Sequence, residues 1–501
     1  MLQRSTIPAD KGRGVEQAHV LQPATNTVAA FMLFAVIALA PLPFGSVDAL
    51  PIVVWCMILG IALCAASLRA LDRRHFLILA GIAIVVGAYG LVLHEQLAAR
   101  PWFSVVAPDP VWQAAADALG PPLAASLSVV RDQPLWALGA PLAAILCLTV
   151  SFIVCVDRNR AHQLLDAVAW SGAAYALYGI AAYLIEPGKV LWMPKQAYFT
   201  VLTATFINRN TAAVYFGACA ILWLLILVDR FRQRLPRSQT LSWMTIARSL
   251  QGLQRDSILG FLAFFLCCVA MVLTGSRAGV LLSLVAAGAA LIPLVWKFIS
   301  FSRKSAGLAA AAACALFILF QLLGAGIIGR LDNEGLAGGG RLETYRSTLA
   351  MIGDHPWLGT GLGTFAWIYP SYRSNALTSW GVWDRAHSTP LEIASDMGLP
   401  LAGIVVTGWA AIFAVLGFGL WSRQRDHIIV IAALAVASLG ILHSLIDFSL
   451  QIPGFALMVF SLVGAGLAQS FRAVRPLVIK SSEHSFTSPR LRGEVDHEVI
   501  G

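Results

Sequence analysis

Residues 257–296 have the sequence SILGFLAFFLCCVAMVLTGSRAGVLLSLVAAGAALIPLVW. Two apolar runs, 257–273 and 278–296, are separated only by the short turn TGSR. A helix needs about 17–25 predominantly apolar residues to cross the hydrocarbon core of a bilayer, and each run is long enough. The stretch therefore predicts two adjacent membrane-spanning helices joined by a minimal turn.

The same pattern extends over most of the chain, which is 58% hydrophobic and only 12% charged. It predicts an all-α integral membrane protein with about twelve spans. The predicted spans are 28–45, 49–68, 76–93, 135–156, 164–185, 211–228, 257–273, 278–296, 306–328, 399–421, 428–446 and 453–470. Residues 1–27 are expected to be a cytoplasmic N-terminal segment, 28–470 the polytopic membrane domain and 471–501 a disordered cytoplasmic tail.

Basic residues are distributed unevenly between the predicted loops. The net charge is +9, yet most of the 35 Lys and Arg residues fall in alternate loops, such as the run from Arg230 to Arg237. This bias is the positive-inside signature of a membrane protein, so the charge orients the chain and does not indicate nucleic-acid binding. Both termini are predicted to be cytoplasmic, and the loops 94–134, 186–210 and 329–398 are predicted to lie outside.

The loop Gly329–Gly398 is the longest polar segment between predicted spans. It contains GGGRLETYRS, DHPWLGTGLGTF and WDRAHSTPLEIASDMG. Long loops in compact proteins are usually functional or disordered, and glycines and aromatic residues at this density disfavour disorder. The aromatic side chains could stack on sugars or form an interfacial belt. This loop is the predicted location of the chemistry.

Three arginines occupy unusual positions on the side that should be poor in positive charge. Arg209 lies at the mouth of the sixth span, and Arg277 lies in the TGSR turn. Arg341 is expected to open a helix in the long loop, in which Leu342, Tyr345, Leu349 and Ile352 keep an apolar spacing. Each could simply extend its charge to lipid headgroups. Together they provide several fixed donors, as recognition of a lipid diphosphate requires.

His387 is the candidate catalytic base. It lies in a polar segment with Asp384 and Glu392, just before the tenth span. An imidazole with a pKa near 6.5 can accept a proton from a sugar hydroxyl at neutral pH. The alternative is an ordinary surface histidine. Glu392 is predicted to support the site.

His443 and Asp447 form a second candidate pair. Their spacing of four residues would place both on one face of a helix near the outer end of span eleven. They could support catalysis or form a structural hydrogen bond. No metal site is expected, because no further ligands stand at a suitable spacing. The glycine run 359–363 is predicted to be a tight turn and not a nucleotide site, since no βαβ unit surrounds it.

These motifs resemble the O-antigen ligase/polymerase superfamily of bacterial membrane enzymes. The resemblance covers roughly residues 135–470 and rests on five segments in the family's order. They are TFINRNTAAVYFG, LTGSRAG, GGGRLETYRSTLAMIGDHPWLGTGLGTF, AHSTPLEIASDMGLPLAG and HSLIDFSLQIP. Many relatives have Asn directly after the histidine, whereas this chain has Ser388, which leaves the type of acceptor open.

The resemblance implies a fold similar to the GT-C membrane glycosyltransferases, with a large periplasmic loop. It implies transfer of a glycan from undecaprenyl diphosphate to a hydroxyl of lipid A–core or another glycan, without cofactor or required metal. His387 would be the base, and Arg209, Arg277 and Arg341 would hold the diphosphate. The expected location is the bacterial inner membrane. Residue patterns do not define an oligomeric state.

Three functions fit these patterns. The compact TGSR turn favours a ligase, while a polymerase of O-antigen or exopolysaccharide repeat units uses the same motifs. A polysaccharide transporter or flippase would also have many helices with intramembrane charge. The transporter is disfavoured because the charged residues gather on one predicted face and not at the midplane.

Overall fold

The structure is a computed structural model. It describes residues 12–98, 100–103, 106–121, 123–234, 255–295, 337–377, 383–422 and 427–471. These residues are mostly helical. The helices are α1 (Gly12–Leu39), α2 (Ala49–Ala65), α3 (Arg73–Leu97), α4 (Val111–Leu119), α5 (Gln133–Ala137), α6 (Gly139–Val154), α7 (Arg158–Ile185), α8 (Arg209–Arg234), α9 (Arg255–Leu273), α10 (Arg277–Val295), α11 (Ala337–Asp354), α12 (Phe365–Tyr372), α13 (Thr389–Met397), α14 (Leu399–Ser422), α15 (Ile428–Ser444) and α16 (Pro453–Ser470). A two-residue antiparallel ribbon pairs β1 (Lys189–Val190) with β2 (Met193–Pro194).

Eight helices of the described residues are long and apolar enough to cross a membrane. They are α3, α5 together with α6, α7, α8, α9, α10, α14 and α16, and each coincides with a predicted span. Shorter apolar helices, Thr25–Leu39, Ala49–Ala65 and Ile428–Ser444, coincide with three further predictions. The predicted span 306–328 and most of the tail 471–501 lie outside the described residues.

The most buried helices are α16 and α8, which form the centre of the bundle. α16 packs closely on α6, because a Cβ at Gly464 would lie 2.5 Å from the carbonyl oxygen of Leu148. The Ser151 hydroxyl donates to the Ser461 carbonyl oxygen at 2.6 Å across the same interface. Small residues and polar links of this kind hold membrane helices together where lipid removes the hydrophobic driving force.

Backbone and side-chain hydrogen bonds connect the loops at each end of the bundle. At one end, the Gly454 amide donates to the Gly45 carbonyl oxygen at 2.8 Å, and the Leu202 amide donates to the Leu273 carbonyl oxygen at 3.0 Å. At the opposite end, Gln469 Nε2 donates to the Cys155 carbonyl oxygen at 2.6 Å. We call the first the loop end, because described parts of the loops 94–134, 186–210 and 329–398 meet there.

The described part of the long loop is folded into α11, α12 and α13. The glycine run between α11 and α12 is a tight turn, as predicted. Gly359 has a φ of +66°, and a Cβ added there would lie 2.3 Å from the carbonyl carbon of Asp396. Gln96 of α3 fastens this turn, since its side chain donates to the carbonyl oxygens of Leu358 (2.7 Å) and Asp396 (2.8 Å). The loop is thereby anchored to the membrane domain.

The helix predicted at Arg341 exists, but two details of the prediction were wrong. α11 begins at Ala337, so the three glycines lie inside its first turns and Arg341 does not open it. The apolar spacing also identified the packed face only in part, because Ile352 is buried whereas Leu342 and Leu349 are exposed. The other buried side chains are Thr344, Ser347, Thr348 and Met351. The two threonine side chains can be buried because their hydroxyls donate to carbonyl oxygens one turn earlier within the helix.

Candidate active site

A buried carboxylate lies at the centre of the loop end. Asp447, 1% exposed, is in the turn between α15 and α16. Its Oδ2 accepts a hydrogen bond from Asn210 Nδ2 at 2.7 Å and lies 3.5 Å from a guanidinium nitrogen of Arg341. Its Oδ1 accepts from the Phe448 amide at 2.8 Å. A buried charge needs such partners, and here they join α8 and α11 to the α15–α16 turn.

Arg341 reaches this carboxylate while part of its side chain stays accessible. Its side chain is 34% exposed. The guanidinium has five N–H donors, so pairing with Asp447 leaves donors for an anion at the surface. The Arg341 guanidinium is therefore held in place by Asp447 and is still accessible to an anion from solvent.

His387 lies beside this charged pair. Its ring packs edge-on against Trp383 and Phe448, with centroid distances of 5.5 Å and 5.3 Å. Nδ1 is buried, without a hydrogen-bond partner among the described residues. Burial lowers the pKa of the imidazole, and the Arg341 charge lowers it further while Asp447 opposes this shift. The ring is therefore kept neutral at neutral pH, as a base must be.

The backbone of His387 has an uncommon conformation. Its φ is +53°, in the left-handed region that non-glycine residues rarely adopt. The Tyr345 hydroxyl donates to the His387 carbonyl oxygen at 3.0 Å. Glu392 holds the preceding residues, since its Oε2 accepts from the Ala386 amide at 2.9 Å and its Oε1 accepts from Arg385 at 3.1 Å. Several hydrogen bonds thus fix the segment that carries the imidazole.

His443 and Asp447 do not share a helical face, so this part of the prediction was wrong. α15 ends at Ser444, and Asp447 lies in the following turn. His443 is buried, with its Nδ1 3.1 Å from the Ser449 hydroxyl. Thr211 of α8 donates to the same hydroxyl at 3.2 Å. The contacts of His443 are those of a structural hydrogen-bond network that joins α15 to α8.

The other two predicted arginines begin helices at the loop end. Arg209 is the first residue of α8, and its guanidinium lies over the Tyr198 ring at 5.0 Å from the centroid. Arg277 is the first residue of α10, and its side chain is exposed. A Cβ at Gly279 would lie 2.6 Å from the Ala213 Cβ, so the beginnings of the two helices are adjacent. The structure thus places both arginines at the same end as Arg341.

A second buried carboxyl has a structural position. Asp396 is 3% exposed, and its Oδ2 accepts a hydrogen bond from the Gly363 amide at 2.8 Å. Burial raises the pKa of this carboxyl well above its usual range, and the negative charge of Glu392 raises it further. Asp396 therefore ties the end of α13 to the glycine turn through this hydrogen bond.

The sequence did not reveal three residues of the site. Asn210 anchors Asp447, Tyr345 contacts the His387 backbone, and Trp383 packs against the imidazole. The indole nitrogen of Trp383 is buried without a hydrogen-bond partner among the described residues. Only Asn210 had a usable signal, since it lies next to Arg209 in the segment INRNT.

Within the described residues, no group of three or more His, Cys, Asp or Glu could hold a metal ion.

Comparison with known proteins identifies part of the chain. A family model described as O-Antigen ligase matches residues 262–406. This range contains Arg277, Arg341 and His387, whereas Arg209 and Asp447 lie outside it. No curated protein matches the chain. The match supports the predicted relationship to the O-antigen ligase/polymerase superfamily, whose members are glycosyltransferase-like enzymes. Together with the apolar helices, it indicates a multi-pass membrane protein.

Proposed function

We propose that this chain, which carries an O-antigen ligase domain, is a ligase-type membrane glycosyltransferase. It would transfer a glycan from undecaprenyl diphosphate to a hydroxyl of lipid A–core or another glycan on the periplasmic face of the inner membrane. The observation that carries this proposal is the position of the His387 imidazole beside the Arg341–Asp447 pair, at the end of the bundle where the polar loops meet.

The reaction needs one base and a stabilised leaving group. The acceptor hydroxyl oxygen would attack the anomeric carbon as the bond from that carbon to the diphosphate oxygen breaks. His387 would take the hydroxyl proton through Nε2, because Nδ1 is buried. The displaced undecaprenyl diphosphate would leave with the bonding electrons. Direct displacement inverts the anomeric configuration and does not need the two carboxylates of a glycosidase.

The arginines would neutralise the diphosphate. Arg341 has unused donors beside His387, and Arg209 and Arg277 begin adjacent helices at the same end. Fixed positive groups at the developing negative charge are usually the largest contribution to such catalysis. Glu392, Asp447 and His443 would support the site by holding backbone and side chains in place.

The whole architecture would be GT-C-like, with about twelve spans. This count includes 306–328, which lies outside the described residues. Both termini would be cytoplasmic, in agreement with the distribution of Lys and Arg. The gathering of charged side chains at one end of the bundle supports an enzyme over a transporter, whose substrate site is expected near the midplane.

Replacement of His387 by Ala tests the proposal. We expect transfer of glycan from undecaprenyl diphosphate to fall by at least about 100-fold, because general base catalysis typically contributes this much. The level of the protein in the membrane should not change. His355→Ala, in the same loop, is the matched control and should retain activity. Near-normal transfer by His387→Ala would contradict the proposed role.

A repeat-unit polymerase is the second candidate, because the O-antigen ligase match and the same site residues suit both reactions. Deletion of the gene followed by gel analysis of surface glycans separates the two. A ligase defect leaves finished polymer on the lipid carrier and unmodified lipid A–core. A polymerase defect leaves a single repeat unit attached to the core.

A further inference from the structure

The left-handed conformation of His387 needs an explanation. Such a backbone is strained for a non-glycine residue and persists only where the surrounding structure enforces it. The His387 ring packs against Trp383 and Phe448. Among the hydrogen bonds of the described residues that hold this segment, one acts on the His387 backbone itself, from the Tyr345 hydroxyl to the His387 carbonyl oxygen at 3.0 Å. The hydrogen bonds from Glu392 act on the neighbouring residues Arg385 and Ala386.

Tyr345 is also tied to the proposed diphosphate site by its position on α11. It follows Arg341 by four residues, so both side chains lie on one face of the helix. Arg341 contacts Asp447 at 3.5 Å, while Tyr345 contacts the residue that bears the proposed base. The same helix therefore carries Arg341, which would bind the diphosphate, and Tyr345, which contacts the residue that bears the proposed base.

The Tyr345 hydroxyl is suited to this task. Burial raises its pKa above the ordinary value, so it stays protonated and remains a hydrogen-bond donor at any physiological pH. Phenylalanine at this position would preserve the ring and remove only the donor. The His387 carbonyl would then lose the contact that opposes a return to an ordinary backbone conformation.

We propose that Tyr345 is a positioning residue, whose hydroxyl holds His387 in the left-handed conformation and so sets the distance between the base and the diphosphate bound by Arg341. This inference rests on the proposed function. It assigns α11 the role of a spacer between the two groups, and it predicts an effect on the chemical step and not on donor binding.

The test compares Tyr345→Phe with Tyr369→Phe. Each change removes one tyrosine hydroxyl that makes a hydrogen bond involving α11. The Tyr369 hydroxyl donates to the Thr344 hydroxyl of α11 at 3.2 Å. The Tyr369 hydroxyl bonds to Thr344 and not to the His387 carbonyl oxygen, and the side chain is fully buried. The purified full-length variants would be assayed in nanodiscs with undecaprenyl-diphosphate-linked glycan and lipid A–core, together with their thermal unfolding midpoints.

Tyr345→Phe should lower kcat by about tenfold, the equivalent of one hydrogen bond of roughly 1.4 kcal/mol, with an unchanged KM for the lipid-linked donor. Tyr369→Phe should lower the unfolding midpoint with little change in kcat. Wild-type kcat in Tyr345→Phe, or a loss that merely parallels the unfolding midpoint in both variants, would overturn the positioning role. Full activity of His387→Ala would overturn the proposed function and this inference with it.

Discussion

Burial and two opposite charges set the pKa of His387. Burial lowers this pKa below its ordinary value, Asp447 raises it, and Arg341 lowers it. Asp447 in turn depends on Asn210 and Arg341 as hydrogen-bond and ion-pair partners. Removal of Asp447, Asn210 or Arg341 therefore changes the environment of the other two. The effects of mutating these three residues are expected to be non-additive.

The pH dependence of transfer should follow this balance. The lowered pKa keeps His387 neutral, so the rate should be constant near pH 7 and should fall only below about pH 6.5, where an unperturbed histidine would already be half protonated. Asp447→Asn should move this acidic limb to still lower pH, because it removes the charge that stabilises the imidazolium. Arg341→Gln should move it to higher pH. Measurement of kcat/KM against pH for the three proteins checks the prediction, and shifts in the opposite directions would contradict it.

The candidate residues could be predicted only as far as their own chemistry allowed. His387 and the three arginines were found because such groups are unusual in a membrane protein. Asn210 and Tyr345 were missed, because an amide and a phenol become informative only when their neighbours are known. The pairing of Asp447 with Arg341 joins residues about a hundred positions apart, and no local pattern encodes it.

At the scale of elements, the glycine turn determines how the long loop is anchored. Gly359 has a positive φ and contacts the backbone of Asp396 without room for a side chain. The turn thereby holds the end of α13, the helix that follows His387. The sequence predicted the turn from its glycines, but Asp396, the partner that makes the glycine necessary, lies near the end of the second helix that follows the turn.

Gly359→Ala should destabilise the protein strongly. The left-handed conformation alone costs alanine about 1–2 kcal/mol, and the Cβ would also lie 2.3 Å from the Asp396 carbonyl carbon. Gly353→Ala in α11 is the control, because its Cβ would have no neighbour within 4 Å and alanine favours helix. Thermal unfolding of the two purified variants measures the difference. Equal midpoints would show that the turn is not under this constraint.

Helix periodicity was a weaker guide in α11. Its leucines are exposed, and its buried face consists largely of threonine and serine. The expected pattern assumes that apolar residues face a protein core. In this loop, hydroxyls bonded to their own helix are buried instead.

At the scale of the whole molecule, the two ends of the bundle differ in character. The loop end collects the three arginines and His387. At the opposite end, the Ser67 amide donates to Asn26 Oδ1 at 2.8 Å, and Gln469 Nε2 donates to the Cys155 carbonyl oxygen at 2.6 Å. α10 ends at the opposite end, whereas α11 begins at the loop end, and the predicted span 306–328 falls between them in sequence.

Thiol labelling can test which compartment each end faces. Trp192, between β1 and β2, is 74% exposed at the loop end, and Asn159 is exposed near the start of α7 at the other end. A membrane-impermeant maleimide added to spheroplasts should label Trp192→Cys and not Asn159→Cys, and lysis should expose both. The unsubstituted protein gives the background. Labelling of Asn159→Cys alone before lysis would reverse the proposed topology.

Amino-acid composition and spacing were sufficient for the membrane class and for the positions of most helices, and they predicted a type of chemistry. Apolar length, loop charge and unusual ionisable residues are local properties, and each follows directly from the solvent that the residue must face. Tertiary structure alone decided which groups act together. The left-handed His387, its contact with Tyr345 and the Asn210–Asp447–Arg341 cluster depend on side chains from distant helices meeting at one end of the bundle. Hydrogen bonds and ion pairs act over a few ångströms, and no spacing along the chain specifies those distances.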